Sequence, residues 1–248
     1  MYNMSASPVL ETKKLTIGYG TKAVCTGIDF VLRRGEILCV IGPNGGGKST
    51  LLSTLSRYLP RISGSILLHG VPIETVPAKE LAKELAILTT EHPYTGLSTC
   101  REIVESGRYP YTGMFGRLSD SDHAAVALAM REAAVTEFAD QFFSELSDGQ
   151  KQRVLLAKAF AQETGLLILD EPTSFLDIRY RLEFLELLSE KVRQDKLSVI
   201  MSMHEIDTAA KIADTVVCLG DGKMRSCGGA DILTDTLIRD LFHISTVS

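Results

Sequence analysis

The sequence predicts an α/β fold, a sheet layered between helices, on three observations. Apolar runs of strand length, bounded by glycine-rich turns, alternate with helical segments along the chain, and that alternation marks an α/β layer architecture. A glycine-rich stretch, GPNGGGKS (Gly42 to Ser49), lies between the apolar run GEILCVI and the amphipathic run KSTLLSTLSRYL. A second apolar run, LLILDE (Leu166 to Glu171), ends in two carboxylates.

The first third reads as strands. VLETKKLTIGYG, AVCTGIDFVLRRGEILCVIG and SGSILLHGVPI alternate or run apolar between turns. The helix KSTLLSTLSRYL interrupts them, with Leu51, Leu52, Leu55, Tyr58 and Leu59 on one face. From about residue 92 to 145 the character changes to a loop rich in Pro, Gly and Thr, followed by helical SDHAAVALAMREAAVTEFAD, which reads as a helical insertion. Then come a helix from Gly149, the strand LLILD, a long charged helix around RYRLEFLELLSEKVRQD, and the strand LSVIMSMH. In DTVVCLGDGKMRSCGG the Asp221-Gly222 pair separates two strand-like runs, a strong hairpin signal. The tail ADILTDTLIRDLFHISTVS holds one helix at most, and no internal repeat or low-complexity segment is present.

A length of 248 residues suits one large domain, or a domain with a subdomain, and 45% hydrophobic with 23% charged residues is ordinary for a globular chain. No apolar run approaches the ~18 residues of a membrane helix, and MYNMSASPVLETKK lacks an apolar signal core, so the chain is expected not to be exported. The net charge of −5 and pI of about 5.6 argue against a sequence-independent grip on nucleic acid. The five cysteines form no CxxC pair and are expected to be reduced thiols.

GPNGGGKS fits the pattern G-x-x-x-x-G-K-[ST] in the strand-to-helix context that the motif needs. Glycines let successive N–H groups turn inward around phosphates, and the helix N-terminus adds partial positive charge. Gly42, Pro43, Asn44, Gly45, Gly46, Gly47, Lys48, Ser49 and Thr50 are therefore candidate phosphate-binding residues. Lys48 reaches the β- and γ-phosphates and Ser49 ligates Mg²⁺. Asp170, at the tip of its strand, is a candidate for the Mg²⁺ shell, and Glu171 beside it for polarising an attacking water. His204 ends another apolar strand, and parallel strands gather their C-termini on the ligand-binding edge.

Taken together and in order, GPNGGGKS, LSDGQ, LLILDEP, SFLD and MSMH resemble the ATP-binding subunits of ABC transporters, over nearly the whole chain. The resemblance implies a P-loop NTPase of ABC ATPase fold: a RecA-like core, an N-terminal antiparallel β subdomain and a helical subdomain. It implies one domain over 1–248, with about 1–90 and 160–248 as α/β core and about 91–159 as the helical subdomain carrying LSDGQ. It gives Tyr19 the role of stacking on adenine, Glu171 that of general base, His204 that of the switch histidine, and Asp177 a place in the loop linking two active sites. Two copies would pack head-to-tail, so that Ser147, Asp148, Gly149 and Gln150 meet ATP bound by the other copy. Ser147 or Asp148 also suits a plain helix cap.

Two departures stand out. Asp148 replaces the usual Gly, and a carboxylate there repels the γ-phosphate unless it turns away. Where the family places a Mg²⁺-contacting Gln, KELAILTTEHP aligns Thr90, which reaches the metal only through water, followed by Glu91, which is long enough to reach directly but adds charge.

SGRYPYTG (Ser106 to Gly113) carries a GRxP stretch that resembles ATPases of importers for iron chelates, haem and vitamin B12. That resemblance implies ATP and Mg²⁺ as cofactors, a homodimer in the ATP-bound state, integral membrane permease subunits, and a periplasmic or surface-tethered binding protein. It implies no nucleic-acid partner, and a cytoplasmic location, peripheral on the inner face of the cell membrane. A soluble ABC ATPase, such as one serving iron–sulphur cluster assembly, and an exporter ATPase are the alternatives.

Overall fold

The computed structural model describes residues 8–89, 97–113, 116–174 and 176–244. In chain order the elements are β1 (Pro8–Tyr19), β2 (Lys22–Arg33), β3 (Ile37–Ile41), α1 (Lys48–Leu55), β4 (Ser63–Leu68), β5 (Val71–Pro72), α2 (Ala78–Glu84), β6 (Leu85–Leu88), α3 (Cys100–Glu105), α4 (Asp120–Glu132), α5 (Asp148–Ala161), β7 (Leu166–Leu169), α6 (Ile178–Asp195), β8 (Ser198–Ser202), α7 (Ile206–Ile212), β9 (Thr215–Gly220), β10 (Lys223–Gly228) and α8 (Asp235–Phe242).

The strands form a ten-stranded sheet in the order β5-β4-β1-β2-β10-β9-β3-β8-β7-β6. Its two halves follow from their sequences. β1 and β2 carry alternating buried and exposed positions and pair antiparallel, with Leu10 opposite Leu32 and Tyr19 opposite Lys22. One-sided burial of this kind suits an antiparallel sheet. β4 joins β1 antiparallel, and Pro72 confines β5 to the edge. In the other half β9, β3, β8, β7 and β6 run parallel, and every residue of β3, β7 and β8 is buried. Strands covered on both faces read as continuous apolar runs, as ILCVI and LLIL do.

Two cores lie on opposite faces of this sheet. Cys39, Ile41, Leu167 and Leu169 face a core shared with α3, α4, α5 and α6, whereas Leu38, Val40, Leu166 and Ile168 face one shared with α1, β1 and β2. The antiparallel half joins the parallel half through β10, where Lys223 pairs with Thr26 of β2. Asp221 (φ 52°) and Gly222 (φ 71°) turn the β9–β10 hairpin with both residues left-handed, the geometry that Asp-Gly favours.

The helix expected through Leu59 stops at Leu55. The Ser56 hydroxyl bonds the Leu52 carbonyl at 2.9 Å, and Arg57 is left-handed (φ 64°) so that its guanidinium reaches the carbonyls of Ile73 and Val76. Tyr58 is consequently 72% exposed instead of continuing the apolar face. Ser106–Tyr111 forms a 3₁₀ helix, and Arg108 is buried. Its guanidinium bonds Asp122 Oδ1 at 2.8 Å, the Ala161 carbonyl at 2.7 Å and Glu163 Oε2 at 2.6 Å, and lies 4.0 Å over the Tyr111 ring. One buried cation thus ties the N-terminus of α4 to the C-terminus of α5. Among the described residues, no helix is long and apolar enough to cross a membrane.

Candidate active site

The C-terminal ends of the parallel strands β3, β7 and β8 place the chemistry-bearing residues side by side. β3 runs into the glycine-rich loop at Gly42. A Cβ on Gly42 would lie 2.1 Å from the Leu219 carbonyl oxygen, so only glycine lets the loop leave the sheet here. The Gly46 N–H closes the loop onto the Pro43 carbonyl at 3.0 Å, and Leu51 N–H to the Gly47 carbonyl, at 2.8 Å, begins α1. Asn44, Gly45 and Ser49 are exposed on the open side, whereas Gly47, Lys48 and Thr50 are buried.

Lys48 curls back over the loop and donates to the carbonyls of Gly42 (3.0 Å) and Pro43 (3.3 Å). Burial pushes its ammonium pKa below the ordinary lysine value, opposed by the negative charges of Glu171 and Asp170. Glu171 Oε1 lies 3.8 Å from Lys48 Nζ and 2.6 Å from His204 Nε2. Lys48, Glu171 and His204, drawn from three separate segments, therefore converge. Tyr19, at the end of β1, is 59% exposed, and its hydroxyl is 3.4 Å from Thr50 Oγ1, which leaves the ring open to solvent beside the loop.

Asp170 follows β7 directly, its N–H bonded to the Leu88 carbonyl at 2.9 Å. Glu171 is left-handed (φ 46°), a conformation uncommon for a residue with a side chain, and Ser174 Oγ donates to its Oε2 at 3.3 Å. Asp170 and Ser49 offer hard oxygen donors of the kind Mg²⁺ selects. Thr90 and Glu91 lie outside the described residues.

Ser147, Asp148, Gly149 and Gln150 make their contacts within α5 and against α6. Ser147 caps α5: its hydroxyl accepts from Gln150 N–H at 3.4 Å, while Gln150 Oε1 accepts from Ser147 N–H at 2.9 Å, a capping box. The cap is thus Ser147 and not Asp148. Asp148 points outward, 75% exposed and 3.9 Å from Lys151 Nζ, in the first turn where the helix dipole favours an anion. A Cβ on Gly149 would lie 2.8 Å from the Tyr180 ring, so the glycine lets α6 pack against the start of α5. Asp177 caps α6 by accepting the Tyr180 N–H at 2.9 Å.

Three contributors escape a reading of motifs. Gln152 is buried and its amide donates to the Pro172 carbonyl at 2.7 Å, tying α5 to the turn after Glu171. Tyr180 fills the space that Gly149 leaves. Ser202, one of two buried serines that bracket the apolar run VIM in β8, touches both Asp170 and Glu171. A hydroxyl at the C-terminal end of an apolar strand was the available signal; the partners of Gln152 and Tyr180 leave none in the local sequence.

Residues 25–174 match the family model for the ABC transporter domain. The chain is 38% identical over 238 residues to the iron(3+)-hydroxamate import ATP-binding protein of Bacillus subtilis, covering 95% of this chain and 88% of that one. It is 37% identical over 236 residues to the ferric enterobactin transport ATP-binding protein of Escherichia coli, covering 95% and 87%. A solved metal-chelate type ABC transporter in an inward-facing conformation superposes with a TM-score of 0.84 at 28% identity, over 95% of this chain and 89% of that one. With this match spanning the phosphate loop, LSDGQ and the paired carboxylates, the chain belongs to the ABC transporter family.

Proposed function

We propose that the chain is the ATP-hydrolysing subunit of an importer for an iron chelate, working as a pair on the inner face of the membrane beneath a permease. The observation that carries the reading is the convergence of Lys48, Glu171 and His204 at the end of the parallel strands. The relatives named for iron-hydroxamate and ferric enterobactin transport direct it toward iron chelates.

The backbone from Gly42 to Thr50 cradles the ATP phosphates, Lys48 turns from its carbonyl partners to the β- and γ-phosphates, and Tyr19 stacks on adenine. Ser49 and Asp170 would hold Mg²⁺, with Thr90 reaching it through water. When bound, the ion supplies Lewis-acid polarisation of the phosphoryl oxygens. Glu171 accepts the proton of the attacking water, and His204, 2.6 Å from that carboxylate, orients it. Ser147, Asp148, Gly149 and Gln150 of one copy approach the nucleotide of the other, with Asp177 at the crossing between sites. Lys151 Nζ, 3.9 Å from the Asp148 carboxylate, offsets part of its charge there.

Residues of about 91–159 act as a helical subdomain and the remainder as the α/β core. A groove of about 510 Å³ opens between α2 and α5, lined among others by Tyr58, Leu81, Leu85, Leu155 and Gln162, and it suits a cytoplasmic helix of the permease. A periplasmic or surface-tethered binding protein delivers the chelate. The test is a pull-down of the tagged chain from detergent-solubilised membranes, with partners identified by mass. A polytopic membrane protein in about one-to-one ratio is expected, whereas soluble partners alone would assign the chain to a non-transport ATPase.

A further inference from the structure

Ser202 closes β8 and is fully buried. The β7–β8 ladder ends with Leu169 opposite Met201, so Ser202 lies level with the residue that follows β7. Its hydroxyl proton goes to Asp170 Oδ1 at 2.6 Å, and its oxygen accepts the Glu171 N–H at 2.8 Å. One hydroxyl therefore grips two successive residues at the tip of the neighbouring strand. On its other side Ser202 pairs with Val40 of β3, the strand that feeds the phosphate loop, and Met203 N–H bonds the Val40 carbonyl at 3.1 Å.

The two bonds do different work. The bond to Asp170 is at the short distance typical of a hydroxyl donating to a carboxylate, and it fixes the carboxylate's orientation. The bond from Glu171 holds the peptide of a left-handed residue in place. An alanine, valine or isoleucine here, the usual choices for a strand buried on both faces, would do neither.

We propose that Ser202 is a positioning residue for ATP hydrolysis: its buried hydroxyl aligns Asp170 for the metal and pins the turn that presents Glu171 to water. The proposal rests on the reading of Asp170 as a Mg²⁺ ligand and Glu171 as the base. Groups that orient a metal ligand from behind typically change affinity or activity by about 10- to 100-fold when removed.

The test compares the full-length wild type with Ser202→Ala, Ser202→Thr and Glu171→Gln. ATP binding is titrated in EDTA and against added Mg²⁺, steady-state kcat and KM are measured, and melting is followed without nucleotide. Ser202→Ala is expected to bind ATP in EDTA within about twofold of wild type. It is expected to need roughly tenfold more Mg²⁺ for half of the metal-dependent tightening, and to lose roughly tenfold in kcat with KM little changed. Ser202→Thr, which keeps the hydroxyl, recovers most of both. Wild-type Mg²⁺ dependence and kcat in Ser202→Ala overturn the proposal, as does a parallel loss of EDTA-ATP binding, melting temperature and kcat, which would mark a merely structural serine. Undiminished turnover in Glu171→Gln overturns instead the assignment of the base.

Discussion

Glu171 and His204 meet at 2.6 Å between Oε1 and Nε2, the ends of two adjacent parallel strands brought together by the sheet alone. In the proposed mechanism this carboxylate takes a proton from water and its neighbour orients it. Glu171→Gln keeps the shape and removes the proposed base. Nucleotide binding should survive while turnover falls by about 10²-fold or more, measured as phosphate release beside equilibrium ATP binding. Wild-type turnover would remove Glu171 from its role.

Lys48 is nearly fully buried, and its ammonium faces Glu171 and Asp170 as well as two loop carbonyls. Lys48→Ala removes the cation proposed to meet the phosphates and leaves two carboxylates facing the loop. ATP affinity should fall about tenfold or more, the worth of one charged hydrogen bond. Calorimetric titration of both proteins checks it, and equal affinities would show that the loop backbone suffices.

Gly149 touches the face of the Tyr180 ring, and the missing Cβ is what allows it. Gly149→Ala should therefore cost about 1–3 kcal/mol through overpacking, seen as a lower denaturant midpoint. Adding Tyr180→Ala should make the two effects strongly non-additive, because the residues share one contact. Additive losses would show that the alanine is accommodated elsewhere.

Asp122 sits beside Arg108 and inside the capping box of α4. The Ser119 hydroxyl and N–H, aided by Arg108, hold its carboxyl down to about 2, against an ordinary 3.8. A carboxyl depressed on folding stabilises fully above its unfolded value and loses that contribution as pH falls toward the folded one. Wild-type stability should therefore decline between about pH 4 and pH 2 more steeply than that of Asp122→Asn, in urea titrations across that range.

Removing Arg108 leaves Asp122 buried without its cation and the Ala161 carbonyl without its donor. Arg108→Met should destabilise by about 3–5 kcal/mol, as breaking a buried ion pair does. The double variant with Asp122→Asn should recover part of that loss. Thermal melting of the three proteins checks it, and a loss under 1 kcal/mol would reduce the cluster to a surface pair.

Local chemistry made much of the site legible. The glycine-rich loop, the carboxylate pair, the strand-end histidine and the Asp-Gly turn each announce themselves within a few residues, because each needs particular residue types at fixed spacing. The antiparallel and parallel halves of the sheet were legible as alternating versus continuous apolar runs. What stayed hidden depends on partners far along the chain. α1 ends early because Arg57 turns toward carbonyls near residue 75, a contact no helical period encodes. Arg108 looks like a surface residue by type, and only the fold supplies the carboxylates and carbonyl that let it be buried. Gln152, Tyr180 and Ser202 act across element boundaries for the same reason.

The sheet order also governs how the chain is made. β1 and β2 can close into a hairpin as soon as they leave the ribosome, but β3 emerges with neither neighbour yet synthesised, since Ile37 pairs with Val199 and Leu38 with Thr215. The strand that delivers the phosphate loop therefore waits, apolar and with both edges unpaired, until β8 and β9 have followed it. Such late, non-local pairing makes folding slow, and it exposes a sticky strand in the interval. A chain interrupted before β9 and β10 would leave β3 without one flank and the antiparallel half without its link. Nucleotide binding is thus a property that the nascent protein acquires abruptly, once β8 and β9 have been made.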